Sequence, residues 1–415
     1  MSNATDESQS EVGTRVLKIG ILGIGVSGAR IARAMAAMPE IRLVAGAARR
    51  PELHADFAER YGARIYGSAE EICRDPEVQA LWISTPNQFH AEHMILAASN
   101  GKHVIVEKPI AITMREAEQM MEAAERSGVA VVCGHLLSNT PRAQMVRRII
   151  RSGELGRLCA LNVWAYTDWM LRPRTAAEMD FAKGGGVPYR QAPHQVDTLR
   201  LLGGGLVRSV RGMIGQWLPE RTMPGYYSAY LEFEDGTPAT LVHNGYGYFM
   251  TSELVPWAKP NPQASINKRT QIRHSIRTGN WDEGEAKTEQ SREIGRENQT
   301  PQRRPAGDIW VGDDLGIVVA TCERGDIRYS ARGVYVYDDQ GIKEVPVERR
   351  PRAGAPEIRE LYDAVVLGKP VTYGLSWGAA TLEVCLGIIQ SAQERREITL
   401  QHQVPVPDFQ EEGKN

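Results

Sequence analysis

Behind a polar, acidic opening stretch, Met1–Glu11, the chain alternates apolar runs with amphipathic segments at regular spacing. Val16–Ile24 (VLKIGILGI) is an almost unbroken apolar run of strand length that ends among glycines, the pattern of a strand covered on both faces. Ser27–Met38 follows with apolar residues at helical spacing, then a second strand over Ile41–Ala47 and a second helix over Glu52–Tyr61. Further strands are predicted at Ala80–Ser84 and His103–Val106, with a helix over His90–Asn100 between them. Thr113 and Glu116 have capping-box spacing and open a helix running to about Arg126, before a strand at Val129–Cys133. Regular β-α alternation with short connections predicts an α/β Rossmann domain, a doubly wound parallel sheet, over 15–137.

The rhythm then changes. Longer, more widely spaced strands are predicted at Leu158–Thr167, Leu206–Gln216, Ser228–Phe233, Thr237–Tyr246, Gly316–Cys322 and Asp326–Tyr337. They suit an α+β domain over 138–405 built on an open, mostly antiparallel sheet. From Pro256 to Pro305 a polar stretch rich in Arg, Gln and Asn has no clear periodicity and reads as a long surface insertion; a lid or a subunit contact is the sharper alternative. Residues 1–14 read as a disordered lead-in and 406–415 as a tail.

Composition narrows the class. The 415 residues leave room for two domains. A formal net charge of −2 creates no global field for nucleic acid or an anionic membrane. No apolar run approaches the roughly 20 residues of a membrane span, and the polar N-terminus lacks the apolar core of a secretory signal, so a cytoplasmic protein is expected. The five cysteines, Cys73, Cys133, Cys159, Cys322 and Cys385, are odd in number, far apart and without a CxxC pair; free thiols and no metal site are expected.

Candidate chemistry begins at Gly23-Ile24-Gly25-Val26-Ser27-Gly28, a G-x-G-x-x-G sequence that leaves a strand and opens a helix. In that context the first glycine makes the tight turn, the second admits a pyrophosphate against backbone, and the third lets helix and strand pack closely. The second strand ends in Ala47-Ala48-Arg49-Arg50. An acid for the ribose 2′-hydroxyl is missing there, and Arg49 and Arg50 could take a 2′-phosphate, which leans toward NADP or dual use over NAD alone. Solvated loop arginines are the plain alternative.

Three further stretches accompany the glycine turn: Thr85-Pro86-Asn87-Gln88-Phe89-His90 after one strand, Glu107-Lys108-Pro109 after the next, and Gly184-Gly185-Gly186 followed by His194 and Asp197. Together they resemble the Gfo/Idh/MocA oxidoreductases. The resemblance implies a nicotinamide-dependent enzyme with an open-sheet second domain, commonly a homodimer or homotetramer. It also implies Lys108 near the reacting carbon, His194 as its partner acid/base, and Thr85, Pro86, Asn87, His90 and Glu107 at the nicotinamide end. Chemistry supports the lysine: loss of hydride from an alcohol needs a base for the hydroxyl proton, and a desolvated lysine can have a lowered pKa.

Sugar-oxidising members of that family carry an aspartate four residues before the histidine; this chain has Arg190. A cation there argues against neutral polyols and suits a carboxylate held by paired hydrogen bonds. Arg172, with Trp169 and Tyr189, could add an anion contact and a flat wall; ordinary surface ion pairing of Arg172 and Arg174 is the alternative. Thr167–Pro173, the surroundings of Arg190 and Arg208–Tyr248 resemble the phthalate 4,5-cis-dihydrodiol dehydrogenases, which implies oxidation of a carboxylated ring cis-diol to a catechol, 4,5-dihydroxyphthalate. Two competing readings are a sugar or inositol dehydrogenase of the same fold and a non-catalytic dinucleotide-sensing regulator. Lys108 and His194 speak against the regulator, and no DNA-binding motif or basic patch supports it.

Overall fold

The computed structural model describes residues 15–49, 51–134, 136–255, 257, 262–296, 315–347 and 354–407. The lead-in 1–14, Arg50, positions 256, 258–261 and 297–305 of the polar stretch, and the tail from 408 lie outside the described residues.

The first sheet has six parallel strands, β1 (Leu17–Leu22), β2 (Ile41–Ala47), β3 (Arg64–Tyr66), β4 (Ala80–Ile83), β5 (His103–Glu107) and β6 (Val131–Gly134), in the order β3-β2-β1-β4-β5-β6. Every residue of β4 (ALWI) and β6 (VVCG) is buried, as strands covered by helices on both faces require. The helix Met114–Ser127 starts at the expected capping box, Thr113 Oγ1 accepting from Glu116 N and Glu116 accepting from Thr113 N, and stops at left-handed Gly128. Strand order reverses between β1 and β4, so their carboxyl ends part and leave a crevice between them.

The second sheet has nine strands: β7 (Leu158–Tyr166), β8 (Val207–Gly215), β9 (Tyr226–Phe233), β10 (Pro238–Asn244), β11 (Ile317–Cys322), β12 (Gly325–Tyr329), β13 (Gly333–Asp338), β14 (Gly341–Pro346) and β15 (Ile398–Thr399). Their order is β14-β13-β12-β11-β7-β10-β9-β8-β15, antiparallel except for β7 beside β10. The single strand expected over Asp326–Tyr337 is a hairpin, because Ser330 N donates to Gly333 O at 2.9 Å and Ser330 Oγ accepts from Gly333 N. One face of this sheet packs on the helix Ala192–Leu202, all eleven residues of which are buried; the other exposes Trp164, Met213 and Tyr230.

Two features depart from the sequence reading. The stretch expected to be irregular holds two helices, Pro262–Arg277 and Glu283–Arg296. Their apolar periodicity is weak because polar groups dock them: Arg269 Nε donates to Gly247 O at 2.9 Å, Arg273 Nη2 donates to Tyr246 O at 3.1 Å, and the Arg273 guanidinium lies 3.7 Å from the Tyr248 ring centre. The helix Glu283–Arg296 lies beside Val26–Met35, the helix that opens at the glycine turn. In addition, the chain returns to the first domain after residue 354. Ile358 and Leu361 share a core with Ile19 and Trp82, and Trp377 and Ala379 share one with Val104 and Cys133. The helix Leu375–Glu394 continues through Val384 and Ile388 into the core beneath the second sheet, joining both layers. Each large apolar side chain buried this way contributes about 1.5–3 kcal/mol. All five cysteines are free thiols, and no described helix is long and apolar enough to cross a membrane.

Candidate active site

The crevice between β1 and β4 is lined first by backbone. Gly23 has φ +104°, and a Cβ there would stand 2.7 Å from Ser84 O; a Cβ on Gly28 would stand 2.2 Å from Gly23 O. The turn is pinned on both sides, with Gly23 N donating to Ala47 O and Ser84 Oγ donating to Gly23 O, each at 2.8 Å. Ile24 is buried beneath the turn. Gly25 precedes the helix Val26–Met35, whose first turn has neither a side-chain cap nor an acidic residue. An uncapped helix N-terminus behind close-packed glycines is a fit for a dinucleotide pyrophosphate, with its first N–H groups as donors. Arg49 is exposed at the end of β2, its guanidinium 5.2 Å from the Phe89 ring centre. Arg50 lies outside the described residues.

The next loops are tied together under the crevice. Thr85 Oγ1 is 3.0 Å from His93 Nδ1, and burial pulls His93 down to about 4. Pro86 is exposed, whereas His90 is fully buried, Nε2 2.8 Å from Thr85 O and Nδ1 2.7 Å from Pro109 O. Burial lowers the His90 pKa against the pull of those two carbonyls. His90 therefore joins the loop after β4 to the loop after β5 from below. Glu107 is buried as well and accepts from Ser27 Oγ at 3.1 Å, which fixes the glycine helix to the same loop.

Lys108 stands one residue beyond β5 and donates from Nζ to Arg190 O at 3.0 Å. Arg190 ends the short helix Val187–Arg190, and His194, 6% exposed, sits in the first turn of Ala192–Leu202. Lys108 and His194 thus meet the same bend of the second domain. Asn87 spans the domains too, Nδ2 donating to Gly184 O at 2.8 Å and Oδ1 accepting from Arg190 Nη1 at 3.3 Å.

Around Arg190 lies a cluster of charge. Glu178, 11% exposed at its side chain, pairs with Arg190 at 3.2 Å, Lys287 at 3.2 Å and Arg174 at 3.5 Å. Burial alone would raise its pKa, but Arg190, Lys287 and Arg174 outweigh that and hold it at about 2. Glu283 accepts from Arg174 N at 2.6 Å and pairs with Arg221, which is 1% exposed. Burial lowers Arg174 to about 9 despite Glu178.

The remaining expected positions divide. Arg172 pairs with Asp168 at 3.0 Å. Trp169 is 1% exposed, with the Arg174 guanidinium 3.6 Å from its ring centre, so its flat face is covered by that cation and is not a wall of the crevice. Tyr189 is half-buried against Phe181, ring centres 5.5 Å apart. Asp197 is fully buried, accepting from Ser138 N and Trp377 Nε1, a tie between elements. Glu178, Glu283, Arg221 and Lys287 were not found from the sequence; Thr175-x-x-Glu178 does carry a capping-box spacing, realised in the structure, but nothing local marks its charge partners.

The fold agrees with the comparisons. Residues 17–135 match the oxidoreductase family with the NAD-binding Rossmann fold, Gfo/Idh/MocA, and residues 143–249 match the Gfo/Idh/MocA C-terminal domain. The chain belongs to the Gfo/Idh/MocA family and is a dehydrogenase of that family. It is 29% identical over 386 residues to 1-carboxy-3-chloro-3,4-dihydroxycyclohexa-1,5-diene dehydrogenase of Comamonas testosteroni, covering 91% of this chain and 95% of the relative. A solved structure described as a dehydrogenase from Bordetella bronchiseptica RB50 superposes with a TM-score of 0.82 at 33% identity, covering 92% of this chain and all of that one. Levoglucosan dehydrogenase of Pseudarthrobacter phenanthrenivorans is 32% identical over 220 residues, half of this chain and 56% of that one.

Proposed function

We propose that this dehydrogenase oxidises a carboxylated aromatic cis-dihydrodiol, phthalate 4,5-cis-dihydrodiol, to the catechol 4,5-dihydroxyphthalate. The observation that carries the reading is the cluster of cations beside Lys108: among the described residues Arg174, Arg190 and Lys287 pair with Glu178, and Arg221 pairs with Glu283. A half-buried cluster of guanidinium and ammonium groups stabilises a bound carboxylate far more than it would in water. The relative from Comamonas testosteroni is named for a carboxylated cyclohexadiene diol, which points to the same substrate chemistry.

Gly23, Ile24, Gly25, Val26 and Gly28, with Thr85, Pro86, Asn87 and Glu107 along the crevice, hold the dinucleotide, and Arg49 favours one bearing a 2′-phosphate. The nicotinamide, once bound, supplies the hydride acceptor. Arg190 orients a ring carboxylate through the guanidinium donors not committed to Asn87 and Glu178. Lys108 Nζ takes the proton of the hydroxyl whose carbon becomes the ketone, with His194 as partner acid/base. The ketone then enolises, its ring C–H proton leaving as the carbonyl oxygen takes up a proton, and the ring becomes aromatic, which drives the reaction forward. The exposed sheet face bearing Trp164, Met213 and Tyr230 serves a second copy of the chain.

The test is the appearance of reduced-nicotinamide absorbance, with NAD and NADP in parallel, against phthalate 4,5-cis-dihydrodiol, its uncarboxylated analogue and myo-inositol. Turnover confined to the carboxylated diol supports the reading. Preference for inositol, or equal use of the uncharged diol, overturns it in favour of a polyol dehydrogenase.

A further inference from the structure

The strands β2 and β4 flank β1 in the parallel sheet, so the chain leaving their carboxyl ends stands on either side of the glycine turn. Two side chains meet across it. Arg49 stands just beyond β2 and is exposed; Phe89 ends the single turn Asn87–Phe89 after β4 and is half-buried. The Arg49 guanidinium lies over the Phe89 ring, 5.2 Å from its centre and within cation–π range. The ring is the fixed member of this pair. Phe89 stacks against His93, ring centres 5.6 Å apart and planes 25° apart, and His93 Nδ1 is 3.0 Å from Thr85 Oγ1. The neighbouring His90 is bound to the carbonyls of Thr85 and Pro109. Arg49, by contrast, is a long, exposed side chain with many rotamers, and an exposed cation–π contact is weak.

The position says which part of a dinucleotide arrives there. In a doubly wound sheet the residue at the end of the second strand faces the ribose of the adenosine half. Phe89, in contact with Arg49, therefore stands at the adenosine end, whereas Asn87 in the same turn reaches Gly184 and Arg190 of the second domain. A half-exposed aromatic ring is a platform for a nucleobase, and base–aromatic stacking is stronger than an exposed cation–π contact.

We propose that Phe89 is the recognition residue for the adenine of the dinucleotide and that Arg49 competes with the adenine for the Phe89 ring. The adenine takes the place of the guanidinium, and the displaced Arg49 meets the 2′-phosphate of a dinucleotide that bears one. The proposal rests on the reading of Arg49 as the 2′-phosphate contact and deepens it. One arginine then opposes NAD, by occupying the ring, and favours NADP, by gaining a phosphate in exchange.

The experiment titrates NADH and NADPH against the full-length wild type, Phe89→Leu, Phe89→Trp and Arg49→Gln, with affinity read by nicotinamide fluorescence and by calorimetry. Phe89→Leu keeps an apolar side chain against His93 but removes the π face. It is expected to weaken both dinucleotides about tenfold, while Phe89→Trp stays within about twofold of wild type. Arg49→Gln is expected to move the two in opposite directions, NADH about threefold tighter and NADPH about threefold weaker. Unchanged affinities in Phe89→Leu, or equal losses in Phe89→Leu and Phe89→Trp, remove Phe89 from adenine recognition. Arg49→Gln is an exposed substitution and tests the competition whatever Phe89→Leu does to the fold: NADH binding that is unchanged or weakened overturns it. Failure of the 2′-phosphate reading looks different, because NADPH then tightens together with NADH and the competition stands.

Discussion

The two walls of the crevice are made differently. The cofactor wall is backbone: glycines at the end of β1, an uncapped helix start and loop ends gathered where parallel strands stop. The side proposed for the substrate is built on side chains: Arg190 lies in a charge cluster with Glu178, Arg174, Arg221, Glu283 and Lys287, brought from segments up to 113 residues apart. A wall of backbone needs particular residues in a row and is hard to vary without losing the turn. A wall of side chains needs only that charges arrive at one place, so chemistry there can change while the fold stays the same.

Four measurements would break or sharpen that contrast. The largest effect is expected from Lys108→Met, which removes the proposed proton acceptor. Turnover should fall by about 10²–10⁴-fold, while dinucleotide affinity, read by fluorescence titration, stays within about twofold of wild type. Unchanged turnover would take Lys108 out of the chemistry.

Acid should dismantle the substrate wall next. Glu178 titrates at about 2 in the folded chain, below the ordinary carboxylate value. Its stabilisation is therefore full above about pH 4.5 and is lost as pH falls toward 2. The lowered pKa corresponds to about 3 kcal/mol. Denaturation midpoints between pH 6 and pH 3 should fall more steeply for the wild type than for Glu178→Gln; identical slopes would show that the cluster does not hold Glu178.

Gly28→Ala tests the opposite wall. Its Cβ would stand 2.2 Å from Gly23 O, too close without shifting the turn. Overpacking of this kind costs about 1–3 kcal/mol, and it should appear as weaker dinucleotide binding with carboxylate binding retained. The smallest effect is expected from Arg49→Gln, which removes a side-chain cation at the end of β2. The preference for NADP over NAD should drop by about tenfold in kcat/KM; an unmoved ratio would assign Arg49 to its contact with Phe89 alone.

The sequence was legible wherever backbone requirements are local. The parallel sheet, the glycine turn and the capping box at Thr113 each occupy neighbouring residues whose types follow from geometry, and each stands where it was expected. His90 shows the limit. Its motif placed it near the nicotinamide end, but only the fold reveals that both ring nitrogens are taken by the carbonyls of Thr85 and Pro109, beneath the loops. Trp169 shows another, since no local pattern tells that Arg174 covers its ring. The helices Pro262–Arg277 and Glu283–Arg296 escaped detection because hydrogen bonds and ion pairs dock them where an apolar stripe normally would.

By itself, then, the sequence determined the strand-helix alternation, the dinucleotide turn, the position of Lys108 after its strand and the cation at 190. These depend on residues within one or two turns of each other, where spacing and residue type carry the information. Only the tertiary structure decided that Glu178 gathers Arg174, Arg190 and Lys287, that Glu283 braces Arg221, and that the chain's last third completes the first domain's core. Those contacts join distant segments, and which charges meet is set by how the sheets and helices pack.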